Sequence, residues 1–276
     1  MKFLTDIETL FRGSFNHLKH NMVLSLPFLA FWLIIVFVLI SLTNGAVKLF
    51  SLFLLLGITS AFISGWFNMF KRCVETPVNE NQPEKEQVED SFYLFKEFFP
   101  GVGKYFVNIL VGLLLFLFTF NLIMLITENL SIHLLGIFDS FSQEEMMKAL
   151  REPSSIQDFW KSISDADKSK IITIALIELA EIVLIIYLTM FWAQFVVLKD
   201  VSPLKGFLSS ITITIKDFFR TFVIFVLNNL LLGSVFLLTT VVSLNPILRL
   251  VMILLFVYAI VFYVLMTFLY LEKYSN

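Results

Sequence analysis

The chain has 276 residues, 58% of them hydrophobic and 15% charged, with a formal net charge of −2. Soluble domains run at about 45–50% apolar and about 25% charged, so this composition excludes an ordinary water-soluble domain, and the charge balance supplies no basic field for nucleic acid. Cys73 is the only cysteine, which excludes an intrachain disulfide and a cysteine-based metal cluster.

Taken in order, the first stretch, residues 3–18, is an amphipathic helix. Phe3, Leu4, Ile7, Leu10, Phe11, Phe15 and Leu18 recur at helical spacing, with Asp6, Glu8, Arg12, Asn16 and His17 facing away. Such a basic, aromatic-rich helix rests among lipid headgroups. The first apolar run follows, Met22–Leu42, with Pro27 near its start. It is longer than a signal-peptide core of about 7–15 residues and is read as a retained span. Thr43, Asn44 and Gly45 predict a turn. Span two, Ala46–Phe70, closes on Trp66, Lys71 and Arg72, the pattern of an interface anchor. Residues 73–90 are polar and predict a mobile loop. Cys73 reads there as a loop cysteine at the membrane edge rather than a reactive thiol.

The second amphipathic stretch carries Val88, Phe92, Phe95, Phe99, Val102 and Phe106, with Pro100 and Gly101 expected to break it. Span three is Tyr105–Ile126. Residues 127–170 predict an outer segment with short helices at Phe138–Leu150 and Ser155–Ile163, and Ser142 with Glu145 forms a capping box. Span four, Ile171–Leu198, exceeds the about 20 residues needed to cross a bilayer, which predicts tilt or projection.

Ser202–Leu232 holds the third amphipathic stretch. Its apolar stripe is Leu204, Phe207, Leu208, Ile211, Ile215, Phe218, Phe219 and Phe222; Lys205, Ser209, Thr212, Lys216 and Arg220 lie largely off it. Span five is Thr221–Ser243. Asn245 and Pro246 turn the chain into span six, Ile247–Leu271.

This predicts an all-α polytopic membrane helix bundle of six spans, one integral membrane domain over residues 1–276. Helices suit the bilayer because each satisfies its own backbone polar groups. Leu10-Phe11-Arg12-Gly13-Ser14-Phe15, Leu94-Phe95-Lys96-Glu97-Phe98-Phe99 and Pro203-Leu204-Lys205-Gly206-Phe207-Leu208 share one pattern, and each precedes a pair of spans. That placement predicts a threefold repeat of an interfacial helix plus two spans. Lysine and arginine gather on the side holding both termini, which the positive-inside rule makes cytoplasmic. Residues 127–170, on the other side, carry five basic residues against that trend. The expected location is a plasma membrane, the inner membrane of a bacterium.

Phe195-Val196-Val197-Leu198-Lys199-Asp200-Val201-Ser202-Pro203-Leu204-Lys205-Gly206, followed by Phe218-Phe219-Arg220 and a span, resembles bacterial YciC-like proteins and the membrane domain attached to glycerophosphodiester phosphodiesterases. The resemblance implies the three-pair layout across the chain and is specific over residues 195–230. It brings no catalytic residues, because the soluble phosphodiesterase domain is not in this sequence.

Glu178 and Glu181 are the acidic residues within the expected spans, three apart on one helix face. Acidic groups at that depth are functional by default, so they are a candidate ion or proton site; the bland alternative places both at the outer edge of span four. Asn108, Asn121, Gln194, Asn228 and Asn229 read as helix-packing polar groups. His17 and His20 lack the further ligands of a metal site. Gly101, Gly103 and Lys104 lack the leading glycine and the hydroxyl residue of a phosphate loop. Candidate headgroup contacts are Arg12, His17, Lys96, Lys205, Lys216 and Arg220. Without a triad, zinc motif or nucleotide loop, no catalytic residue and no cofactor is expected. The sequence reads as a non-enzymatic membrane-organising protein whose partners are the lipid bilayer, anionic headgroups or other membrane proteins. The alternative is a small transporter or ion pathway using Glu178 and Glu181.

Overall fold

The computed structural model describes residues 2–41, 48–76, 84–136, 160–161, 163–241 and 245–275. The amphipathic stretches and apolar runs become α1 (Lys2–His20), a 3-10 turn (Met22–Leu24), α2 (Ser25–Ser41), α3 (Lys48–Glu75), α4 (Glu84–Lys96), α5 (Phe98–Leu135), α6 (Asp165–Thr189), α7 (Trp192–Leu198), α8 (Pro203–Lys216), α9 (Phe218–Val241) and α10 (Pro246–Tyr274). Among the described residues there is no strand. Among the described residues, six helical stretches are long and apolar enough to cross a membrane: Met22–Ile40, Phe50–Glu75, Ser91–Leu135, Asp165–Leu198, Phe218–Val241 and Pro246–Tyr274. Their outward surface is made of large apolar side chains such as Phe37, Phe53, Phe118, Leu184 and Leu237. Apolar cover on this scale is foreign to a soluble monomer. The chain is an all-α membrane helix bundle of six spans.

The chain divides into two compact units, one of Met1–Leu114 with Leu188–Asn276 and one of Leu115–Tyr187. In the second unit, the distal part of α5 faces α6. Thr127 donates to Glu181 (2.8 Å), and Lys170 donates to the Gly136 carbonyl (3.3 Å).

In the first unit α3, α7 and α10 meet at the centre. Phe67 and Phe70 of α3 pack on Phe268 of α10, with Val196, Val197 and Leu265 completing the core. Polar groups sit in this layer too: Gln194 donates to Thr267 at 3.4 Å, both buried. Around the centre, α2 packs on α3, α1 and α9 on α10, and α8 on α7.

Local breaks in the helices follow from chemistry. Span four breaks at Met190–Phe191, and the groups freed there are taken up by Ser210 of α8. Its fully buried hydroxyl donates to the Leu188 carbonyl (2.8 Å) and accepts from Phe191 N–H (3.2 Å). The predicted break at Pro100–Gly101 falls instead at Glu97. Proline in the first turn of a helix loses no internal hydrogen bond, so α5 runs on through both residues.

Other expectations shift in the same way. Trp66 is no interface anchor: it is buried, and its indole N–H donates to the Leu24 carbonyl at 2.6 Å. Cys73 and Val74 are buried in the last turn of α3, and residues 84–90 already belong to α4, so the predicted 73–90 loop is shorter. Residues 77–83, the turn at 43–45, the helix predicted over 138–150 and its capping box lie outside the described residues. So does the helix predicted over 155–163, except for Trp160, Lys161 and Ile163. The 127–170 segment loses both edges to helix, since α5 continues to Leu135 and α6 starts at Asp165. α10 begins as expected, with Asn245 Oδ1 accepting from Ile247 N–H and Leu248 N–H ahead of Pro246 at the first helical position.

Candidate functional site

One end of the first unit gathers fixed charges, because the ends of several apolar helices converge there. The turn between α7 and α8 carries Asp200, whose φ of 51° is the left-handed conformation that aspartate and asparagine tolerate better than most residues. That turn aims its carboxylate at three donors. Lys71 Nζ lies 3.2 Å from Oδ2, Lys104 Nζ lies 2.8 Å from Oδ1, and the Tyr105 hydroxyl donates to Oδ1. Lys71 also donates to the Val197 carbonyl (3.0 Å), in the last turn of α7, where the helix dipole favours a cation. The Lys71 side chain is only 11% exposed, against 48% for Asp200, and Tyr105 is fully buried. Burial works against the Asp200 charge, but hydrogen bonds from Lys104, Tyr105 and Lys71 outweigh it and hold the carboxyl at about 2.

A second cluster ties α1, α9 and α10. Arg220 pairs with Asp6 (2.9 Å) and Asp217 (3.0 Å), Tyr270 donates to Asp217 (2.9 Å), and the guanidinium lies 4.5 Å from the Tyr274 ring centroid. A third polar group joins α3 to the start of α5. Asn68 donates to the Glu97 carbonyl at 2.9 Å, and Arg72 sits 3.5 Å from the Glu97 carboxylate.

The residues singled out from sequence separate into two sets. Arg12, Lys96, Lys205 and Lys216 are exposed; Arg12 makes only a surface pair with Glu8 at 2.7 Å. His17 instead faces inward, 3.5 Å from Cys73 Sγ, and burial, helped by the nearby His20, lowers its pKa. Arg220 is held between two carboxylates, Asp6 and Asp217, at the α1–α9 junction. Glu178 and Glu181 are half-buried. Among the described residues, Glu181 reaches a partner in the neighbouring helix, Thr127, and its second oxygen is buried without one. Among the described residues no group of three or more His, Cys, Asp or Glu side chains could hold a metal. Asn121 and Asn229 bond carbonyls of their own helices, Leu117 and Phe225.

Sequence reasoning passed over Asp200, Lys71, Lys104, Tyr105, Asp217 and Tyr270 as a constellation. A signal was present: each charged member stands where an apolar run starts or stops, so all fall at similar depth once the spans are aligned.

These features define an all-α, multi-pass membrane protein. Comparison with family models, with curated proteins and with solved structures gives no match to this chain.

Proposed function

We propose that this is a non-enzymatic protein that organises lipids or partner proteins at the cytoplasmic face of a membrane, through a belt made by α1, α4 and α8. One observation carries this reading: all three helices turn large apolar side chains outward beside exposed basic ones. Phe11 and Phe15 on α1, Phe92 and Tyr93 on α4, and Leu204, Leu208 and Ile215 on α8 are exposed. The residues that fix these helices to the bundle are different ones, Ile7, Leu10 and Ser14, then Leu94, then Gly206, Ser210 and Thr214. The belt is thus built twice over, with one edge for packing and one for the headgroup layer.

The threefold repeat belongs to the same reading. α1, α4 and α8 each end at a polar junction residue, Asn21, Glu97 and Asp217, before a span begins. The central layer of the first unit comes from the second span of each pair, through α3, α7 and α10.

Substituting serine at Phe11, Phe15, Phe92, Leu204 and Leu208 together is expected to reduce co-purifying anionic lipid roughly tenfold while helix content stays unchanged. Lipid retention equal to wild type would reject the belt.

A second reading, the small ion or proton pathway, is favoured by the Glu181 oxygen buried without a partner. An ionised oxygen there is costly unless a proton or cation joins it. Glu181→Gln keeps an acceptor for Thr127 and is expected to abolish a pH-dependent flux in proteoliposomes; normal flux in that variant removes the pathway.

A further inference from the structure

Between α8 and the last turn of α10 lies a pocket of about 310 Å³. Its polar lining comes from Ser209, Thr212 and Lys216 of α8 with Tyr274 and Ser275, and no acidic residue lines it. Thr212 and Ser275 already donate their hydroxyl protons to the carbonyls of Leu208 and Leu271. The donors left are the Lys216 ammonium and the hydroxyls of Ser209 and Tyr274. The Tyr274 hydroxyl is buried and has no hydrogen-bond partner, an arrangement that costs free energy until an acceptor arrives.

Beyond the lining, the Lys273 ammonium lies 5.2 Å from the Tyr274 ring centroid. The Arg220 guanidinium, 4.5 Å from the same centroid, is neutralised by Asp6 and Asp217 and adds no free positive charge. The apolar lining is Phe195, Leu208 and Ile213, and Leu208 is part of the exposed stripe of α8.

We infer that this pocket binds a phosphomonoester group. Three unspent donors, one of them cationic, match the acceptor-only oxygens and negative charge of a phosphate, and the adjoining apolar wall suits a phosphate carried on an acyl chain. A membrane source for that phosphate rests on the belt reading; the site itself does not.

The test uses full-length protein in neutral detergent, offered phosphatidic acid or phosphatidylcholine in the micelles and, separately, glycerol 3-phosphate in solution. Binding is read by native mass spectrometry and equilibrium dialysis. Phosphatidic acid is expected to be preferred over phosphatidylcholine by about tenfold or more, and Tyr274→Phe and Lys216→Ala each to weaken it by about tenfold. Tyr274→Phe removes a hydroxyl that has no partner in the empty pocket, so its melting temperature without ligand should equal or exceed wild type; a purely structural role would lower it. Binding of glycerol 3-phosphate alone, with the same dependence on Tyr274 and Lys216, upholds the pocket and counts against the belt. The inference is overturned if neither phosphate binds, if phosphatidylcholine binds equally well, or if Tyr274→Phe binds phosphate like wild type.

Discussion

Asp200→Asn is expected to lower the melting temperature of the detergent-solubilised protein by about 5 °C, corresponding to about 2 kcal/mol. Asparagine tolerates the left-handed backbone at this position, so the substitution isolates the charge. What it leaves behind is Lys71, an ammonium only 11% exposed that retains the Val197 carbonyl and the Tyr105 hydroxyl but loses its counter-ion. Uncompensated buried charge is the costly half of a broken pair. Lys104 is 57% exposed, so Lys104→Ala should cost no more than about 1 kcal/mol. The pH dependence follows in sign from the lowered Asp200 pKa. Its stabilisation is complete above the ordinary carboxylate value of 3.8 and is lost as pH falls through about 2. Thermal melts of wild type and Asp200→Asn should therefore differ most near neutral pH, draw together below about pH 4 and converge only below about pH 2. A constant gap down to pH 2 would show that the carboxylate does not act through its charge.

Gly101→Ala should destabilise by about 3 kcal/mol, whereas Gly103→Ala, two residues on in the same helix, should be neutral or stabilising by up to about 1 kcal/mol. A Cβ at Gly101 would stand 2.4 Å from Asn68 Cβ and 2.8 Å from the Ser64 carbonyl oxygen. Neither atom is the tip of a flexible chain, so α5 would have to move away from α3. That movement would also pull apart the Asn68–Glu97 hydrogen bond at 2.9 Å. At Gly103 a Cβ meets nothing within 4 Å, leaving only the gain in helix propensity. Chemical denaturation of the two variants side by side checks this, and equal effects would contradict the close approach of α3 and α5.

The same pair of glycines shows what the sequence could and could not convey. Read locally, Gly101, Gly103 and Lys104 look like the end of a phosphate loop or a helix break. In the fold they are one glycine that lets two helices touch, one on an open face, and a lysine that reaches Asp200 across the bundle. Periodicity alone was enough for the spans and the amphipathic helices, because burial in lipid and at the interface writes itself into runs of apolar residues. It could not distinguish the outward edge of α8 from its packing edge. The buried line is small and polar (Gly206, Ser210, Thr214), and the stripe of Leu204, Leu208 and Ile215 faces out, the reverse of a helix on a soluble core. Trp66 shows a related limit. It has the composition of an interfacial residue, but a partner distant in sequence, the Leu24 carbonyl, draws it inward. Of the two glutamates, spacing identified the pair, but only the neighbouring helix singles out Glu181, through Thr127.

The belt is tested most directly by depth. Nitroxide labels at Phe15, Phe92 and Leu208, introduced one at a time in a Cys73→Ala background and reconstituted in anionic vesicles, would report their relative accessibility to oxygen and to a water-soluble nickel complex. The belt requires all three labels to favour oxygen, placing them in the outer acyl region about 5–10 Å below the headgroups. Labels that favour the nickel complex at these sites would put the helices in water and contradict it.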